Sequence, residues 1–175
     1  MLSLKVTEDV SLETLHISNA QELFSCVEEN RAYLKAWLPW LDHNLNAQDS
    51  ESFIRSTLEE RKQNESLVLA IKLKGNIVGT SGLVSMNPSK HYAEIGYWLA
   101  EGQQGKGLAT ASTKTLIDYA NMNLGIKNFS ISVNTNNLRS KRIPEKLGFR
   151  FVKEIKDAEW LYDHYVDHLK YLLNL

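Results

Sequence analysis

The segment Gly102-Gln103-Gln104-Gly105-Lys106-Gly107 joins a strand-like run to a helical pattern, and no other stretch restricts the fold as much. The run before it, His91 to Leu99, is extended in character and carries Gly96 inside it, where a bulge or a close backbone approach is expected. After it, from about Gly107 to Asn121, Leu108, Ala111, Thr115, Leu116 and Tyr119 recur at helical spacing. Glycines at such a junction let several N–H groups point into one concavity at the positive end of a helix, an arrangement that suits a phosphate. The same glycines also make a tight turn and cap with no ligand, and the loop alone leaves both readings open. No Lys-Ser/Thr pair follows them, and a third glycine with an acidic partner is missing, so neither a triphosphate loop nor a dinucleotide fingerprint is present.

Periodicity places the rest of the chain around this unit. Val10 to Ile17 reads as a strand, after which Ser18 or Asn19 caps a helix that shows Ala20, Leu23, Phe24 and Val27 on one face. A helical turn covers Arg31 to Trp37. Pro39 disfavours helix at Leu38 and opens an aromatic loop with Trp37 and Trp40 close together. From about Ser50 to Gln63, Phe53, Ile54, Thr57 and Leu58 share a helix face. Ser66 to Leu73, the turn Lys74-Gly75-Asn76 and Ile77 to Val84 form a hairpin, and Asn87-Pro88-Ser89 turns the chain into the strand before the glycine loop. Lys127 to Asn134 is a further strand, Leu138 to Leu147 a helix closed by Gly148, and Phe149 to Ile155 and Tyr165 to Leu173 are the last strands. Pro144 removes an N–H inside that helix, so a bend, or a tighter restart near Ile143, is expected.

Composition narrows the function classes. The chain has 175 residues, which fits one domain over 1–175, with no repeat and no Pro/Gly/Ser-rich linker. Lys and Arg together number 20 against 21 Asp and Glu, a net charge of -1, so no net positive field draws a polyanion and direct nucleic-acid binding is not expected. One cysteine, Cys26, excludes an internal disulfide; its apolar neighbours mark a buried, inert thiol, and no metal site is assigned. The N-terminus lacks a basic region followed by an apolar stretch, and no run approaches the ~20 apolar residues that span a bilayer. A cytoplasmic protein is expected.

Two segments carry a family resemblance. Gln104-Gly105-Lys106-Gly107-Leu108-Ala109 resembles the pyrophosphate loop of the GNAT family of N-acetyltransferases, and Asn137-Leu138-Arg139-Ser140, followed by Glu145-Lys146-Leu147-Gly148-Phe149, is similar to the family's cofactor-side helix. A third segment, Glu28 to Trp40, resembles the early helices of the RimL-type branch, which acetylates the N-terminal α-amine of ribosomal proteins. Together they span about Val10 to Leu173. The resemblance implies an α+β fold, with a mostly antiparallel central sheet flanked by helices and splayed between its fourth and fifth strands. It implies acetyl-CoA as co-substrate, bound by main-chain groups near Trp98 and Leu99 and by Gln104, Gly105, Lys106, Gly107, Leu108, Ala109 and Thr110. Asn137 caps the cofactor-side helix or touches the cofactor.

Acetyl transfer needs a neutral amine, a held carbonyl, a home for the oxyanion and a proton or hydrogen bond for the leaving thiolate. Many family members use a tyrosine for the last task at the place where Pro144 stands here. The resemblance to the RimL-type branch moves that role to Ser140, one turn earlier on the same face. It moves the base to Glu159; the residues themselves leave Glu94, His91 and His164 as weaker choices, and Arg139, Lys141 and Arg142 either reach a cofactor phosphate or form a solvated helix face. The expected acceptor is a protein N-terminus, ribosomal in that branch, held by the early helices, the Trp37-Trp40 loop and the last hairpin. Trp37, Trp40, Trp98 and Trp160 are candidates for an aromatic wall there. A small-molecule amine such as a polyamine, or a non-catalytic acyl-CoA-binding module, are the alternatives. A homo-dimer or larger homo-oligomer is expected from the aromatic-rich segments and the branch resemblance.

Overall fold

Alternation along the strands decides which helices cover which face of the sheet. In the computed structural model, which describes residues 1–175, strand β3 (Leu67–Leu73) sends Leu67, Leu69 and Ile71 to one face and Ala70 to the other. The first face meets Leu116, Ile117 and Ala120 of helix α4 (Leu108–Leu124) in the main core. The second meets Ala20 and Leu23 of α1 (Ala20–Glu29) and Ile54 of α3 (Ala47–Lys62) in a smaller core. Burying both faces makes β3 a continuous apolar run.

The remaining strands are β1 (Ser3–Lys5), β2 (Val10–Thr14), β4 (Asn76–Asn87), β5 (Tyr92–Leu99), β6 (Asn128–Asn134), β7 (Arg150–Leu161) and β8 (His164–Asn174). They form one eight-stranded sheet in the order β1-β2-β3-β4-β5-β6-β8-β7, and only β5 and β6 run parallel, because α4 carries the chain back between them. That pair is joined only from Tyr92↔Asn128 to Ile95↔Ile131, after which the two strands part. Beyond the gap β5 stays paired with β4 as far as Gly79↔Leu99. A Cβ on Gly79 would stand 2.1 Å from the Trp98 carbonyl oxygen, so only glycine lets β4 approach the end of β5 this closely.

Helices α2 (Arg31–Lys35) and α5 (Leu138–Lys146) complete the fold. Pro144 does not break α5, which runs through it. The proline lies one turn from the helix end, where a single missing N–H interrupts little. Strand ends also differ from the periodic reading. β1 was hidden by its shortness, Ile17–Asn19 is a 3₁₀ turn capped by His16, and α3 starts at Ala47 with Asn46 as its N-cap. β7 extends to Leu161, past the Ile155 that its spacing indicated, because a bulge shifts its phase between Ile155 and Glu159. No helix is long and apolar enough to cross a membrane.

Candidate active site

The parting of β5 and β6 opens a cavity of about 520 Å³ that reaches both faces of the sheet. On the α4–α5 face its walls include Gln104, Ala109, Asn137, Tyr97 and Ser140. Across the sheet they include Tyr33, Trp37, Leu38, Glu94, Glu159 and His168. The sides follow from alternation: Ile95, Ile131, Val133 and Tyr171 belong to the α4 core, so Glu94, Ser132 and His168 point the other way. Ser140 and Glu159 thus stand on opposite faces and share only this passage.

The glycine loop borders the passage at the N-terminus of α4. Gly105 and Gly107 both adopt φ +76, with open space where a Cβ would be, so backbone conformation rather than crowding requires glycine there. Gly107 is the N-cap, and no side chain caps the helix, which leaves its first N–H groups free for an anion. Lys106 bends back on its own loop, its Nζ donating to the Gly102 carbonyl at 2.9 Å and to Gln103 Oε1 at 2.8 Å. Gln104 Nε2 donates to the Leu99 carbonyl at 3.0 Å and ties the loop to the end of β5.

On the opposite face, His168 Nε2 lies 3.5 Å from Glu159 Oε2, and Ser132 Oγ donates to Glu94 Oε1 at 3.0 Å. The bulge that turns Glu159 inward has three residues, Lys156, Asp157 and Ala158, facing Asp167 alone. Asp157 takes a left-handed φ of 48° there. The Asp167 carboxylate holds this kink by accepting the Asp157 N–H at 2.9 Å and Lys156 Nζ at 2.7 Å, and the lysine contact keeps its own pKa below the usual carboxylate range. The tip of the same hairpin reaches the aromatic loop. Tyr162 donates to the Leu38 carbonyl and accepts the Leu41 N–H at 3.2 Å, while Lys35 Nζ sits 4.5 Å from its ring centroid. Next to this wall is a second cavity of about 470 Å³, lined by Leu23, Val27, Trp40, Phe53 and Gly96 among others, with Trp40 and Trp98 ring centroids 6.3 Å apart.

Comparison with known proteins assigns the architecture. The family model for the acetyltransferase (GNAT) domain matches residues 9–150. This chain belongs to the GNAT acetyltransferase family. The ribosomal-protein-serine acetyltransferase of Escherichia coli is 24% identical over 165 residues, covering 94% of this chain and 92% of that protein. Among solved structures, the microcin C7 self-immunity acetyltransferase MccE, in complex with acetyl-CoA and AMP, is 28% identical with a TM-score of 0.93, covering 98% of this chain and 95% of that one. The ribosomal α-N-protein acetyltransferase RimL, in complex with coenzyme A, superposes with a TM-score of 0.95 at 23% identity over 99% of this chain and 98% of that one, a likeness of fold. The sheet of this acetyltransferase is the expected one. Its splay lies between β5 and β6 because the short N-terminal strand advances the count by one.

The cavity of this acetyltransferase brings together Trp98, Leu99, Gln104, Ala109, Asn137, Ser140 and Glu159. Gly105, Lys106, Gly107, Leu108 and Thr110 stand beside it, in the loop and first turn of α4. Asn137 caps α5, its Oδ1 accepting the Ser140 N–H at 3.1 Å. Trp160 is 51% exposed and packs on Tyr165, so it leaves the aromatic wall to Trp37, Trp40 and Trp98. His91 Nδ1–H donates to the Gly125 carbonyl at 2.8 Å, and His164 pairs with Asp163 in the hairpin turn, so neither reaches the cavity. His168 and Tyr97 were missed. The strand period around them showed only alternation, and their proximity to Glu159 and Ser140 arises from pairing across the sheet and from the sheet's contact with α5.

Proposed function

We propose that the chain, acting as one domain over residues 1–175, transfers the acetyl group of acetyl-CoA to the N-terminal α-amine of a protein, with ribosomal proteins as the acceptor class. The single observation that carries this reading is the passage through the splay, with a thiolate-side hydroxyl on one face and a carboxylate on the other. The names of the Escherichia coli relative and of RimL supply the acceptor class. Acetyl-CoA enters on the α4–α5 face, where the loop amides from Gln104 to Thr110 receive the pyrophosphate and main-chain groups of Trp98 and Leu99 receive the pantetheine and thioester. Lys106, whose Nζ holds the loop through Gly102 and Gln103, adds its backbone N–H to that set and carries a charge that can turn to the phosphates.

The amine approaches from the face of Glu159. Its lone pair attacks the thioester carbonyl, the C–S bond breaks, and CoA leaves as a thiolate that Ser140 stabilises through its hydroxyl. Glu159, directly or through a water, takes the proton that the amine loses. An α-amine has an unperturbed pKa of about 8 and a side-chain amine about 10.4, so the pH profile reports the acceptor. Incubation with acetyl-CoA and N-terminal peptides, read by thiol release, is expected to show kcat/KM rising with pH and levelling near about 8. Turnover only with small amines sinks the protein-acceptor reading. MccE, crystallised with AMP, favours a small-molecule acceptor as the second reading, and the same panel separates the two.

A further inference from the structure

We propose that Tyr97 is a positioning residue of this acetyltransferase, acting through Ser140 by holding its hydroxyl at the passage where the thiolate departs. This inference rests on the role given to Ser140 above. It starts from Pro144. In an uninterrupted α-helix the N–H four residues on would bond the Ser140 carbonyl, and a proline has none to give. The vacant carbonyl is taken by the Tyr97 hydroxyl, which crosses from β5 and donates to it at 3.2 Å. The Ser140 hydroxyl in turn donates to the Tyr97 oxygen, also at 3.2 Å.

Three polar groups of Ser140 are therefore held at once: its N–H by Asn137, its carbonyl and its hydroxyl by Tyr97. Both Tyr97 and Ser140 line the cavity. Burial pushes the Tyr97 phenol well above its usual ionisation range, so it remains a neutral hydrogen-bond donor at any working pH. Its proton can rotate from the Ser140 carbonyl to the Ser140 oxygen. The serine hydroxyl, then polarised from behind, turns toward the sulfur as a better donor. No proton leaves Tyr97 and no bond to carbon changes there. A tyrosine and a serine on two elements thus share the task that a single helix tyrosine performs in other family members.

The test uses four variants, Ser140→Ala, Tyr97→Phe, the double variant, and Tyr97→Phe combined with Pro144→Ala, each with acetyl-CoA and an accepted amine. Tyr97→Phe is expected to lower kcat about tenfold to a hundredfold while KM for both substrates stays within about twofold. The double variant is expected to be no slower than Ser140→Ala, because both changes remove one device. Adding Pro144→Ala restores an N–H for the carbonyl, so the thermal midpoint lost in Tyr97→Phe should return while kcat stays low. Recovery of kcat along with the midpoint would show a purely structural tyrosine and overturn the inference. A wild-type kcat in Tyr97→Phe beside a slow Ser140→Ala overturns it alone, whereas a wild-type kcat in Ser140→Ala overturns the role of Ser140 as well.

Discussion

Glu159 and His168 illustrate what a residue owes to its surroundings. The carboxylate reaches the passage from a strand whose neighbours Lys156, Asp157 and Trp160 face solvent, and His168, 3.5 Å away, is the group that can orient it. Replacing Glu159 by Gln should lower kcat by about 10²–10⁴-fold, the usual worth of a general base, and leave acetyl-CoA affinity in calorimetry unchanged. Cys26 is the opposite case. Burial, reinforced by Glu29 and Glu22, pushes its thiol up to about 11, so almost no thiolate exists at neutral pH. A thiol reagent at pH 8 should leave the native protein unlabelled and modify Cys26 fully once the chain is unfolded. The inert thiol was readable from its apolar neighbours in sequence, whereas the partner of Glu159 was not, since nothing local links position 159 to position 168.

Among the elements, the β7–β8 hairpin does most to shape the Glu159 side of the passage. Its three-residue bulge aims Glu159, and Asp167 pins the bulge through two bonds. Asp167→Ala should cost about tenfold to a hundredfold in kcat with little change in stability, because the lysine contact is exposed, and Asp167→Asn should cost less because it can still accept the Asp157 N–H. Steady-state kinetics alongside urea unfolding checks both. Strands β2 and β3 carry a different prediction. Lys72 is 2.9 Å from Glu13 and, with Ser11, holds its pKa below the usual carboxylate range, against the opposing effect of burial. A depressed native pKa stabilises the fold above the unfolded value of about 4.3 and loses that contribution as pH falls through the native one. Urea unfolding from about pH 5 to pH 3 should therefore show a shallower loss of stability in Glu13→Gln than in the wild type. The helices and most strands were legible in the sequence from period and caps. The bulge was not, because extra residues in one strand show only against the strand that pairs with it.

At the scale of the molecule, the sheet is both scaffold and partition. It is continuous from β1 to β7 except where β5 and β6 part, and the passage there links the hydroxyl and carboxylate faces. Acetyl-CoA bound across that gap should protect the β6-facing amides among Gly96–Leu99 from hydrogen exchange, and should leave those of Ala93–Ile95, already paired, unchanged. At a hundredfold excess over Kd it should add about 2.7 kcal/mol to native stability and raise the thermal midpoint by several degrees. The last two strands leave Phe151, Val152, Trp160 and Tyr165 exposed, and light scattering is expected to return twice the protomer mass or more if such apolar side chains are covered by further copies of the chain. The sequence by itself determined the glycine loop, the capped serine of α5, the order of the helices and of every strand after the first, and through them the family, because each depends on neighbours within a few residues. Only the tertiary structure decided that Ser140 meets Tyr97, that Glu159 meets His168 and that Trp160 stands aside. Those outcomes depend on register, bulge and splay, which are set by pairing between segments distant along the chain.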